Sequence, residues 1–142
     1  MVFVFIMERR INIDFKSKYL YKTISNIKMQ AKIPSIIKTI FFNQVWTIPN
    51  TENKIYLTFD DGPIPVVTPW VLETLKRYQI KATFFCIGDN VRKYPEVFKQ
   101  IISEGHQIAN HSFNHLNGWK TDSKKYIENV IEAENEISKL TN

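Results

Sequence analysis

The chain has 142 residues, enough for one domain with its own core but short for an eight-fold (β/α) barrel, which needs about 200 or more. A hydrophobic content of 44% with 13% aromatics excludes a disordered polymer, and one cysteine, Cys86, excludes an intrachain disulfide framework. The net charge of +5 is lopsided: residues 1–50 hold eight Lys/Arg against two Asp/Glu, and residues 51–142 hold eleven against twelve.

Residues 1–7 are apolar but too few to span a bilayer. Arg9 and Arg10 follow this run instead of preceding it, and no small-residue cleavage site is present, so it is a poor signal peptide. Residues 8–30 show no periodicity, and residues 1–28 are expected to pack poorly, with Met29 as an alternative start. Pro34 then opens a short amphipathic helix with Ile36, Ile37, Ile40 and Phe41 on one face. The basic N-terminal third is compatible with contact at an anionic membrane surface, although a solvated basic helix is the plainer reading. Nothing in the pattern calls for a nucleic-acid partner, and the compartment is left open.

Residues 43–53 read as a linker carrying Trp46. Ile55, Leu57 and Phe59 alternate as in a strand, which Gly62 and Pro63 must end. Thr68 as N-cap and Pro69 as first residue start a helix with Val71, Leu72, Leu75 and Tyr78 inward. Residues 82–87 form a continuous apolar run, expected to be a strand buried on both faces and ended by Gly88; Cys86 within it reads as a core residue. Pro95 starts a second helix with Val97, Phe98, Ile101 and Ile102 inward, and Gly105 suits its C′ position. A third strand falls near residues 107–110. Residues 123–140 form a last helix with Tyr126, Ile127, Val130, Ile131, Ile137 and Leu140 on its apolar side. The order β-α-β-α-β-loop-α predicts a parallel sheet with right-handed crossovers.

Two stretches carry chemistry. Asp60-Asp61 sits at the end of the first of these strands, where α/β folds build their sites, and two adjacent carboxylates need a cation or strong donors to stay ionised together. Taken alone, Asp-Asp-Gly is more often a solvated turn. His111 and His115, four apart and just past the third strand, can face one point if the segment is helical or tightly turned. Alone, they are as readily two unrelated histidines. Together, one carboxylate and two imidazoles make a ligand set for a catalytic divalent metal, with the other carboxylate as a base. Non-haem iron oxygenases use the same donor types, but the parallel βα pattern and the additional aspartate point away from them.

Thr58-Phe59-Asp60-Asp61-Gly62 and His111-Ser112-Phe113-Asn114-His115 resemble the first two motifs of the polysaccharide deacetylases, the NodB-homology enzymes of carbohydrate esterase family 4. Lys81-Ala82-Thr83-Phe84-Phe85 and Glu104-Gly105-His106-Gln107-Ile108-Ala109-Asn110 agree with the same pattern. The resemblance implies an α/β fold, the N-terminal portion of a distorted (β/α) barrel, and metal-dependent removal of N- or O-acetyl groups from a polysaccharide or oligosaccharide. It implies Asp60 as catalytic base and Asp61, His111 and His115 as metal ligands. Zinc fits that ligand chemistry best, with cobalt or nickel as alternatives. Residues 1–50 are then an N-terminal extension, and residues 51–142 a NodB-homology domain, C-terminally incomplete. The family's later motifs, an arginine-proline-tyrosine segment, an aspartate-tryptophan segment and a leucine-x-histidine that supplies the acid, have no match here. The expectation is therefore a fragment or an early-terminated frame, inefficient alone; the rival is a non-catalytic remnant that binds metal or sugar. His106 precedes the metal motif and reads as a surface or structural residue.

Overall fold

The structure, a computed structural model, describes residues 2–5, 34–46 and 55–141. The chain divides into two units: Met1–Phe5 with Tyr56–Asn142, and Ile6–Ile55. In the first unit the alternating run becomes a strand of a four-stranded sheet. Its strands are β1 (Val2–Phe5), β2 (Tyr56–Gly62), β3 (Thr83–Cys86) and β4 (Gln107–Asn110), side by side in that order. β2, β3 and β4 are parallel, as expected for strands joined by helical crossovers. β1 pairs antiparallel with β2, Val2 opposite Phe59. Of residues 1–28, expected to pack poorly, the short apolar run extends the sheet, while residues 6–28 lie outside the described residues.

The parallel register aligns Phe59 with Phe84 and Phe84 with Ile108, so β2, β3 and β4 end at one edge. Past those ends, Ile87 N–H donates to the Gly62 carbonyl at 2.8 Å and His111 N–H to the Cys86 carbonyl at 2.9 Å. The segments that leave β2 and β4 are thereby tied to β3.

In the second unit, α1 (Ser35–Ile40) follows Pro34 and buries no residue, so Ile36 and Ile40 of the predicted apolar face stay exposed. The other helices belong to the first unit. They are α2 (Val67–Arg77), α3 (Gly88–Lys93), α4 (Pro95–Ser103) and α5 (Ser123–Thr141). Leu72 of α2, Cys86 of β3, Val91 of α3, and Phe98 and Ile101 of α4 are fully buried, with Phe59 stacked on Phe84 at 5.1 Å. Full burial of a large apolar side chain contributes about 1.5–3 kcal/mol, so this cluster anchors the crossovers. Among the described residues no helix is long and apolar enough to cross a membrane.

The structure departs from the sequence reading at four places. α2 begins at Val67, and the Thr68 hydroxyl accepts from Ile64 N–H at 3.0 Å from inside the helix; Tyr78 lies past its end, exposed. β3 is buried on one face only, its residues alternating between buried and half-buried. Gly88 does not merely end β3; it opens α3, a helix too short to leave a periodic signal. On α5 the buried residues are Asn129, Ala133 and Ile137, while Ile127 and Ile131 are exposed. The cause is close approach: a Cβ added to Gly88 would sit 2.7 Å from Ala133 Cα. The small residues, not the largest, set which face of α5 is down.

Candidate metal centre

β2 supplies the first donor. Strict alternation would send Asp60 and Asp61 to opposite faces, but the pairing with β3 shifts register between Asp60 and Gly62, and Asp61 has φ 71°. A non-glycine residue in the left-handed region carries strain that its surroundings must hold. Here Asn90 of α3 does so, its Nδ2 donating to the Asp61 carbonyl at 2.9 Å.

β4 supplies the other two. His111 is the first residue after it, and the loop then turns tightly, with Ser112 at φ 57° and His115 at φ 54°. The Asn110 Oδ1 accepts from Ser112 N–H at 2.8 Å, while its Nδ2 donates to the Val130 carbonyl of α5 at 2.9 Å. Asn129 of α5 accepts from Phe113 N–H at 2.9 Å and Asn114 N–H at 3.1 Å through Oδ1, and its Nδ2 donates to Asn114 Oδ1 at 3.0 Å. The loop is thus held from both ends.

These segments bring three donors together. Asp61 Oδ1 is 3.3 Å from His111 Nε2 and 3.4 Å from His115 Nε2, and the whole set lies within 4.8 Å. Tetrahedral bonds of about 2.0–2.1 Å place neighbouring ligand atoms about 3.3–3.4 Å apart, so the carboxylate-imidazole separations fit one ion, and the set could hold a metal. Burial works against the Asp61 charge, but hydrogen bonding and nearby positive charge outweigh it and hold its carboxyl below the ordinary range. His111 leans edge-on against Phe85, and its ring centroid is 4.9 Å from that of His115. His111, His115, Leu116, Tyr126 and Val130 line a small pocket beside the donors.

Asp60 is half-buried on β2, opposite Phe85 and next to the donor Asp61. His106 lies elsewhere. It is buried at the start of β4, accepting from Ala82 N–H at 3.3 Å through Nδ1 and packing on Phe84. It is therefore structural and not a surface residue, about 13 Å from the far end of its strand at ~3.3 Å per residue. The sequence reading passed over the supports, Asn90, Asn110 and Asn129. Asn129 left one sign, a polar residue four before Ala133 on the line that α5 buries.

The family model for polysaccharide deacetylase matches residues 47–142. With this sheet in place, the fold is of the deacetylase class, and the chain belongs to the polysaccharide deacetylase family. It is 43% identical over 88 residues to a peptidoglycan-N-acetylglucosamine deacetylase of Bacillus cereus, covering 62% of this chain and 41% of that protein. It is 40% identical over 84 residues to a chitooligosaccharide deacetylase of Bradyrhizobium, covering 59% and 38%. A solved peptidoglycan N-acetylglucosamine deacetylase superposes with TM-score 0.57 at 42% identity, covering 58% of this chain and 39% of that one. Its likeness agrees with the expected NodB-like fold, in which the parallel strands and crossovers form part of a (β/α) barrel. The chain spans about two fifths of the length of these relatives.

Proposed function

We propose that the chain carries the metal-and-base part of a centre that hydrolyses acetyl groups from an acetylated polysaccharide or oligosaccharide, with N-acetylated sugars first in line. The observation that carries this reading is the convergence of Asp61, His111 and His115 at the carboxyl edge of the sheet. In it these three residues hold a divalent ion, zinc by preference and cobalt or nickel as alternatives. The chemistry such an ion supplies is activation of water and polarisation of the acetyl carbonyl. Asp60 accepts the proton released as water attacks the acetyl carbon; the bond from that carbon to the sugar nitrogen breaks as the nitrogen takes a proton from a general acid other than Asp60, Asp61, His111 and His115, and acetate and the free amine result. Asn90, Asn110 and Asn129 keep the donor segments in place. His106, at the other end of β4, takes no part.

Support for an N-acetylated substrate comes from the relatives named for acting on peptidoglycan N-acetylglucosamine and on chitooligosaccharides. The test measures zinc content and acetate release from chito-oligosaccharides and from peptidoglycan, before and after chelation. Stoichiometric zinc, lost in His115→Ala, is the expected result, together with acetate release that chelation stops. Zinc content unchanged in His115→Ala, or release that survives chelation, would overturn the reading.

A further inference from the structure

We propose that Asn129 is a positioning residue for the metal centre, an inference that rests on the reading above: it fixes residues 111–115 in the strained turn that brings both imidazoles onto Asp61. Asn129 sits on α5, fourteen residues beyond His115 and outside either motif. It is 8% exposed; its side chain accepts from Phe113 N–H and Asn114 N–H and donates to Asn114 Oδ1, and its main-chain carbonyl also accepts from Phe113 N–H, at 3.1 Å. Those two N–H groups lie between Ser112 and His115, the two loop residues with positive φ. A loop that turns through two left-handed residues cannot pair its amides as a strand or helix would. Phe113 N–H has the Asn129 main-chain carbonyl as a second acceptor, so it is the half-buried Asn114 N–H that depends on the Asn129 side chain. A side-chain amide of this reach accepts from two N–H groups through its oxygen and donates to a third atom through its nitrogen.

Partners that hold metal ligands in place typically act on affinity without touching the ion. A merely structural Asn129 would instead affect the stability of the whole unit and leave the donors as they are. The two roles separate in the following measurement. Cobalt affinity is determined by chelator competition, with the visible cobalt spectrum as a report on coordination. Amide hydrogen exchange is followed in the metal-free chain. The principal variant is Asn129→Leu, close to Asn in volume and without polar atoms; Asn129→Asp keeps the acceptor oxygens and serves as the conservative rescue.

Asn129→Leu should lower cobalt affinity about 10–100-fold, change the cobalt spectrum, and speed exchange at Asn114 while the β3 amides keep their protection. Asn129→Asp should restore most of both. An unchanged affinity and spectrum in folded Asn129→Leu, or exchange that rises equally in β3 and the loop, overturns the proposal. Should Asn129→Leu not fold, Asn129→Ser, too short to reach both amides, is read by the same criteria. A wild-type chain that takes up no cobalt refutes the metal reading, while loop exchange in the metal-free variants still decides whether Asn129 fixes the turn.

Discussion

Each of the two carboxylates on β2 has a separate test. Asp61→Ala removes a donor 3.3–3.4 Å from both imidazoles and should abolish stoichiometric zinc binding, read by metal analysis, with the circular dichroism unchanged. In a full-length version, Asp60→Asn should keep the zinc and slow acetate release about 10²–10⁴-fold; a variant at full rate would show that the base lies elsewhere. His106 gives a pH dependence. Burial first, and Lys81 second, depress its pKa, with Glu104 opposing. A folded pKa below the unfolded value of about 6.5 means the unfolded chain binds the proton more readily. The contribution is therefore intact above about pH 6.5 and lost as pH falls through the lowered folded value. Melting temperature against pH, metal-free, should fall less steeply in His106→Gln than in wild type, and parallel curves would exclude His106 as the cause. The donors were visible in the sequence because each lies within a few residues of a strand end. Asn90 and Asn129, which help to hold them, were not, since an Asn in a helix reads as a solvated residue until its burial is known. Nor does any residue type announce that Asp61 adopts φ 71°.

The strands and the larger helices could be placed from periodicity because each buries a regular face. What periodicity could not supply was α3, with six residues, and the rotation of α5. The rule that the largest apolar side chains face inward failed on α5 because its distance from Gly88 is set by backbone contact. Gly88→Ala is the test. The new Cβ would meet Ala133 Cα and Phe113 Cδ2, both at 2.7 Å, where neither backbone nor packed ring yields easily. Overpacking of this kind costs about 1–3 kcal/mol, to be seen as a lower urea midpoint. Because Gly88 N–H also donates to the Ser112 carbonyl at 3.0 Å, the same change should weaken zinc binding. An unaltered urea midpoint would show that α3 and α5 are free to separate.

At the scale of the molecule, the unit containing the site leaves apolar side chains in water. Ile127 and Ile131 are 58% and 54% exposed, one turn apart on α5, and Trp119 is 99% exposed. Lysine at both isoleucines should leave stability within about 0.5 kcal/mol, as for surface changes generally, and should reduce self-association in sedimentation. A fall in melting temperature of several degrees would mean that they are packed. The sheet has a further consequence. Asp61 leaves β2 and the histidines leave β4, with β3 between them, so whatever the three donors grasp acts as a cross-link between non-adjacent strands. It closes a chain segment about 50 residues long, and closure of such a segment removes freedom chiefly from the unfolded chain. Ligand at about 100 times its dissociation constant adds about 2.7 kcal/mol to the folded state. An ion held there would thus fasten the sheet whether or not any reaction follows, and chelation should make the chain easier to digest with protease even where no substrate is present.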